Sequence, residues 1–432
     1  MVTPSRVVAL ETLNRVRNGE LADRALTSAA RGLEPRDQAW VRELVFGTLR
    51  SRGRLDTRLA AFVRPGLDSL EPVVLDILRL GAYQLEEMRS VPPYAAVSQS
   101  VELARAAGLA RVTGLVNGVL QSYSRSWESV VFPAFEREPV ASLSTWGSHP
   151  RWLVERWAER WGVEETAALV ESNNQRPELF FTPIAPVQEA IERLAAQGIP
   201  AEPLPGFPDS VRITSSHGPE ELLAAEPGVI QDPAAASVAR FASFPASETV
   251  LDLCSAPGGK TIGLARRSGF VIACDLSLRR IRRVASNLAR LDLEDQVALV
   301  VADGRNPPFR QVSHVLLDAP CSGTGTLRRH VDGRWRITPH DLAALTALQS
   351  ELLAAAAKIV APGGTLVYAT CSLEAEENEE RVEEFLATHP GFRLMAPDPS
   401  FNDELLAGDY LRILPQRHGV DGAFSARLER IG

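Results

Sequence analysis

From about Glu248 onward the chain repeats one unit: a short apolar run, then a chemically distinctive residue or a glycine turn, then a stretch of helical periodicity. The runs are Thr249–Leu253, Phe270–Cys274, Val297–Val301, His314–Leu317 and Thr365–Ala369. Buried strands that alternate with helices leave few folds open, because parallel neighbours must be joined by right-handed crossovers. The pattern predicts a Rossmann-like doubly wound α/β domain over residues 237–432. Two last runs, Tyr410–Leu414 and Ala423–Leu428 around Gly419-Val420-Asp421-Gly422, read as a hairpin closing its sheet.

The rest of the chain has other rhythms. From residue 4 to about 125 apolar residues recur at helical spacing, as in Val7, Leu10, Leu13 and Val16. Breaks at Glu34-Pro35, Arg64-Pro65-Gly66 and Val91-Pro92-Pro93 divide this into an all-α bundle of six or seven helices, assigned to residues 1–128. Residues 126–145, with Pro133 and Pro139, read as a linker. A small α+β domain is expected over 146–236, with helices at Trp152–Trp161, Glu164–Asn173 and Val187–Gln197 and a strand at Phe180–Ala185. Its stretch with Pro200, Pro203, Pro205 and Pro208 reads as loop.

Composition removes several function classes. The longest apolar stretch, Leu352–Pro362, is broken by Lys358, and the N-terminus lacks the layout of a secretion signal, so no membrane partner and a cytoplasmic location are expected. The four cysteines, Cys254, Cys274, Cys321 and Cys371, lie far apart with no C-x-x-C pair, which argues against zinc and against a disulfide framework. No metal is expected. The net charge of −8 is not that of a basic nucleic-acid binder, but it is unevenly spread. Residues 1–125 hold 17 arginines against 13 carboxylates, a balance of +4 that leaves −12 for the remainder, so phosphate contacts are expected from the helical part.

In a doubly wound sheet ligands bind beyond the carboxyl ends of the strands, where the strand order reverses. The first strand runs into Cys254-Ser255-Ala256-Pro257-Gly258-Gly259-Lys260-Thr261, a glycine turn opening a helix. It matches neither the dinucleotide fingerprint nor the phosphate loop, which disfavours a dehydrogenase or a nucleotide triphosphatase. Asp275 ends the second strand, where an acid that accepts ribose hydroxyls is expected, and Asp303 follows the third, placed for an adenine edge. Loop and acids together describe an adenosyl pocket. Lys260 is one of only two lysines among 46 basic residues, which singles it out.

The fourth strand ends in Asp318-Ala319-Pro320-Cys321 and the fifth in Thr370-Cys371-Ser372. Neighbouring strands lie about 5 Å apart, so both thiols should reach one cleft. Core filler is the bland alternative; it fits Cys274 inside its strand, and packing suits Cys254 better than catalysis. A thiolate adding to carbon 6 of cytosine makes carbon 5 nucleophilic enough to accept a methyl group, and an acid near N3, for which Asp318 is placed, would ease the addition. Enzymes that methylate exocyclic nitrogens carry Asn/Asp-Pro-Pro-Tyr where this chain has Asp-Ala-Pro-Cys. The target base must be unpaired or flipped. Arg334-Trp335-Arg336 is a candidate RNA contact.

Leu251–Thr261, Asp318–Thr326 and Ala369–Asn378 closely resemble the signature segments of RNA cytosine-5 methyltransferases. Val91–Val97 and Gly114–Leu120 resemble the NusB-type RNA-binding domain, and the combination is similar to bacterial RsmB/Sun-type small-subunit rRNA methyltransferases over essentially the whole chain. Two segments depart from the pattern, Gln231–Ala235 and Ala423 after Asp-Gly, and neither is given a catalytic role. The resemblance implies that Cys254, Ser255, Ala256, Pro257, Gly258, Gly259, Lys260, Asp275, Asp303 and Asp318 bind S-adenosylmethionine. It implies that Cys371 is the nucleophile and that Cys321 helps release the product, an order that spacing leaves open. It also implies 16S rRNA as substrate for an enzyme expected to be monomeric. The competing reading is a non-catalytic RNA-binding assembly factor, against which the intact Asp318, Cys321 and Cys371 speak.

Overall fold

A computed structural model describes residues 2–64 and 66–432. Met1, and Pro65 at one of the expected breaks, lie outside the described residues. The chain forms two compact units, Met1–Gln175 with Leu327–Arg336, and Arg176–Thr326 with Ile337–Gly432.

The first unit opens with the expected bundle: α1 (Pro4–Arg17), α2 (Ala22–Ala29), α3 (Pro35–Arg50), α4 (Arg52–Ala60), α5 (Pro72–Glu86), α6 (Pro93–Ala106) and α7 (Thr113–Ser126). Proline stands at the start of α1, α3, α5 and α6, where its fixed φ suits a helix and its missing N–H is not needed. The apolar stripes meet in a core that includes Leu13, Leu44, Ile77 and Leu120. The expected linker is in part helical: Pro139 opens α8 (Pro139–Thr145) rather than breaking the chain, and buries Leu143. The next helices, α9 (Arg151–Trp161) and α10 (Val163–Asn174), bury Leu153, Val154, Trp157 and Leu169 and pack on α8. The segment 146–236 is therefore divided between the two units.

The ten residues Leu327–Arg336 leave the α/β domain and complete this helical unit. Val331 enters its core. Arg334 is fully buried and donates to Ser148 O (3.2 Å), Asn173 O (3.0 Å), Asn174 Oδ1 (2.7 Å) and Leu327 O (3.2 Å). Asn173 O belongs to the last turn of α10, whose carbonyls have no partner within the helix, so the guanidinium caps it. Trp335 Nε1 donates to Leu49 O at 2.7 Å. This corrects the reading of Arg334-Trp335-Arg336 as an open RNA-holding loop: Arg334 is a structural anchor, and only Trp335 and Arg336 keep exposed surface.

The second unit begins with a small antiparallel sheet of β1 (Leu179–Pro183), β2 (Ala201–Pro203), β3 (Val211–Ile213) and β4 (Gly228–Ile230), in the order β2-β3-β1-β4. Helices α11 (Val187–Ala196) and α12 (Pro219–Ala225) accompany it. The proline-rich stretch expected as loop contains β2; it is an edge strand, where the missing N–H of proline need cost no ladder hydrogen bond.

After α13 (Pro233–Phe241) comes the large sheet: β5 (Thr249–Leu253), β6 (Phe270–Asp275), β7 (Val297–Val301), β8 (Val312–Asp318), β9 (Val360–Thr370), β10 (Phe392–Leu394), β11 (Leu406–Ala407), β12 (Tyr410–Ile413) and β13 (Ala423–Arg430). The order is β11-β12-β13-β9-β8-β5-β6-β7, with β10 on β13. Strands β7, β6, β5, β8 and β9 are parallel, and the β12–β13 pair adds on antiparallel to β9. The order reverses at β5, so the cleft beyond β5 and β8 is the switch point. Crossovers include α14 (Gly259–Ala265), α15 (Leu278–Arg290) and α16 (Pro339–Ile359), with α17 (Glu379–Thr388) after β9. Among the described residues α16 alone is long and apolar enough to cross a membrane; here it packs on β8 and β9 through Leu352, Leu353 and Ala356.

Candidate active site

Every strand tip beyond the switch point carries a polar residue. At β5 the chain turns sharply. Cys254 adopts φ 64°, a left-handed conformation costly for a residue with a Cβ, and Gly258 follows at φ 106°. The bend lets Ser255 N donate to Cys274 O (2.9 Å) and Ala256 N to Asp275 Oδ2 (3.3 Å), tying the β5 loop to the tip of β6. Arg280 Nη2 holds Ala256 O at 2.8 Å, and Asn287 reaches Pro257 O at 3.4 Å. Gly259 lies against the amide end of Gln231, which a side chain there would have to displace. Gly304, next to Asp303, approaches Cys254 Sγ, which brings the β7 loop against the β5 loop.

The acids differ in their surroundings. Asp275 is almost fully buried; Oδ1 accepts from Ser277 N (3.0 Å) and Oδ2 from Ala256 N. Arg280 Nη2 also lies 3.4 Å from Oδ2, so Oδ1 is the oxygen that keeps a lone pair for a ligand hydroxyl. Asp303 is half-buried and grips Arg305 (2.7 Å), whose hydrogen bonds hold its carboxyl below the usual range. Asp318 Oδ2 accepts from Lys260 Nζ at 2.7 Å. Burial works to lower the Lys260 pKa, but Asp318, Cys371 and Asp252 together hold it above the ordinary value, so the ammonium stays charged.

The two thiols meet. Cys321 Sγ lies 3.3 Å from Cys371 Sγ, and Cys371 N–H points at Cys321 Sγ at the same distance. The hydrogen bond from Cys321 and the Lys260 charge lower the Cys371 pKa, against the effect of burial. The same bond, with burial and the neighbouring charge, pushes Cys321 well up. The two thiols titrate as a pair, and Cys371 is the one of the two that ionises more readily. Cys254, pushed up to about 12 by burial and the carboxylates around it, and Cys274, pushed up to about 11 by burial, are ordinary protonated thiols.

Three residues here were not singled out from the sequence. Asp252, fully buried in β5, accepts from Thr261 Oγ1 (2.6 Å), and burial pushes its pKa up to about 7. It hides in the sequence because it interrupts an apolar run. Glu377, also fully buried, accepts from Ser322 N (2.8 Å) and Ser322 Oγ (2.5 Å), and so grips the residue after Cys321. Gln349 of α16 bridges Glu377 Oε1 and Pro320 O, both at 2.9 Å. Asp232 Oδ1 accepts from Asp421 N (3.1 Å) and Gly422 N donates to Gly325 O (2.7 Å), so both departing segments support the Cys321 loop through backbone contacts.

Residues 243–429 match the family model described as 16S rRNA methyltransferase RsmB/F. Residues 3–125 match the NusB family, and 149–218 the ferredoxin-like domain of RsmF/B-like methyltransferases. The probable ribosomal RNA small subunit methyltransferase B of Synechocystis sp. is 35% identical, over 94% of this chain and 94% of its own length. The ribosomal RNA small subunit methyltransferase B of Klebsiella pneumoniae is 34% identical, over 98% and 97%. The crystal structure of PH0851 superposes with a TM-score of 0.82 at 25% identity, covering 100% of this chain and 99% of that one. The fold class and the family resemblance read from the sequence agree with all of these.

Proposed function

This chain belongs to the RsmB/F family of 16S rRNA methyltransferases, and we propose that it methylates carbon 5 of a cytosine in that RNA, with Cys371 as covalent catalyst and S-adenosylmethionine as donor. The observation that carries the proposal is the 3.3 Å approach of two thiols beside a lysine ammonium, at the ends of adjacent parallel strands.

S-adenosylmethionine supplies an electrophilic methyl on a positively charged sulfur. The residues present fit it. Buried Ser255 Oγ and Asp252 Oδ1 have no hydrogen-bond partner among the described residues, and Asp275, Asp303 and Asp318 set carboxylates around the loop. We assign Cys254 to Lys260 to the donor's amino-acid end, Asp275 to the ribose hydroxyls and Asp303 to the adenine edge.

The chemistry follows from the thiol pair. The Cys371 thiolate would add to C6 of an unstacked cytosine; the C5=C6 pair shifts to C4=C5 as N3 takes a proton, and C5 then takes the methyl, the donor's C–S bond pair staying on its sulfur as a neutral thioether. Asp318, which accepts from Lys260 Nζ at 2.7 Å, would pass a proton from the Lys260 ammonium to N3. Once Cys371 is a neutral thioether, the charge that raised Cys321 is gone, so Cys321 gives its own proton to solvent and its thiolate takes the C5 proton; C5=C6 re-forms as the C6–Sγ bond breaks, and N3 returns its proton through Asp318. The S–H so formed faces Cys371 Sγ and stabilises it as a departing thiolate.

In the test, Cys371→Ala abolishes methyl transfer, while Cys321→Ala accumulates a covalent RNA adduct that survives denaturing gel electrophoresis. Retained activity in Cys371→Ala sinks the nucleophile assignment. Bisulfite sequencing of 16S rRNA with and without the gene must show one cytosine that loses protection; no such change removes the cytosine-5 reading.

A further inference from the structure

The helical unit contains a cavity of about 740 Å³, within the range of small-ligand sites and large enough for a nucleotide. One wall is apolar, with Leu13, Val16 and Leu75; the other carries Arg52, Trp335 and Arg336. The indole of Trp335 is fixed by its bond to Leu49 O, and the Arg52 guanidinium sits 5.0 Å from its ring centroid. Together they make a stack of two flat groups, one aromatic and one cationic.

The charges in the cavity are not equivalent. Arg17 and Arg79 both hydrogen-bond Asp76, and Arg79 also binds both oxygens of Asp56 at 2.7 Å, so each is already held by a carboxylate. Arg336 on the rim pairs with Asp332 at 2.9 Å. Arg52 makes no hydrogen bond to any described residue and approaches Asp56 only at 3.8 Å. Burial and the Arg79 charge lower its pKa against the attraction of Asp56 and Asp76, so a largely desolvated guanidinium is left without a hydrogen-bond partner among the described residues. A ligand that brings an anion to Arg52 and a flat π-face to Trp335 relieves both, since stacking on an aromatic and a phosphate–arginine contact are the two parts of single-strand recognition.

We propose that this cavity binds an unpaired nucleotide of the rRNA substrate, with its base on Trp335 and its phosphate on Arg52. The inference rests on the proposed function, which makes RNA the substrate, but assigns a second RNA contact in the helical unit, separate from the reacting cytosine.

The experiment uses the intact protein and a single-stranded 16S rRNA fragment carrying 5-bromouridine. Irradiation should cross-link the RNA to the peptide that holds Trp335. Arg52→Ala should weaken RNA binding about tenfold and lower the salt dependence by roughly 0.7 in the log–log slope, with unchanged melting temperature and donor binding. Cross-links that spare Trp335, or wild-type affinity in Arg52→Ala, overturn the proposal. So does equally tight binding of AMP alone, which would make this a free-nucleotide site. A wild-type protein that cross-links as expected but transfers no methyl group would count against the proposed function instead.

Discussion

Asp252 shows how one buried carboxyl ties the site to solution conditions. Its folded pKa of about 7 lies about three units above that of a free aspartate, because burial disfavours the charge more than Thr261 and Lys260 offset it. The folded state therefore binds more protons than the unfolded chain between about pH 4 and pH 7, and stability falls as pH rises across that window. Asp252→Asn removes the titration while keeping an acceptor for Thr261. Its melting temperature should exceed that of the wild type at pH 8, by a free-energy difference bounded at roughly 4 kcal/mol, and the advantage should shrink toward pH 5. A difference that does not change with pH would show that Asp252 is not the titrating group.

At the scale of elements, the thiol pair depends on a clamp built from three of them. Glu377 follows β9, Ser322 follows β8, and Gln349 belongs to α16; their hydrogen bonds fix the loop that carries Cys321 against the one that carries Cys371. Glu377→Ala should therefore act like a mild Cys321 defect, lowering turnover about tenfold and letting the RNA adduct accumulate, while donor affinity stays unchanged; Glu377→Gln should recover most of the activity. Lower donor affinity without adduct would indicate a general structural loss. The sequence shows why the cysteines converge, since apolar strands with polar ends and a parallel rhythm dictate neighbouring tips. It hides the clamp, because Glu377 lies in an acidic run, Glu374-Ala375-Glu376-Glu377-Asn378, that reads as solvated surface. The short strand β2 and the helix α8 escaped for a related reason: proline is a breaker by propensity, and only position in the fold reveals an edge strand or a helix start.

At the scale of the whole molecule, the first unit is not continuous in sequence. Its last ten residues arrive from between β8 and α16, and no local pattern in Leu327–Arg336 announces that they finish a helical bundle more than 150 residues upstream. Charged composition suggests an exposed loop, yet Arg334 is buried deeply enough to push its pKa down to about 9, and that cost is offset by four acceptors. Removing the segment leaves three of those oxygens, on Ser148, Asn173 and Asn174, without their donor and a hole where Val331 sat, and each unsatisfied buried acceptor costs about 1–3 kcal/mol. A chain cut after Gln175 should thus melt well below the corresponding transition of the full protein. Adding the peptide 327–336 should raise that melting temperature in a concentration-dependent way, as for any ligand that binds only the folded state. The same peptide with Arg334→Met should not, because it restores the apolar contact without the four hydrogen bonds. Calorimetry of the fragment with each peptide decides it: equal stability with and without the native peptide would mean that the helical unit is complete by itself.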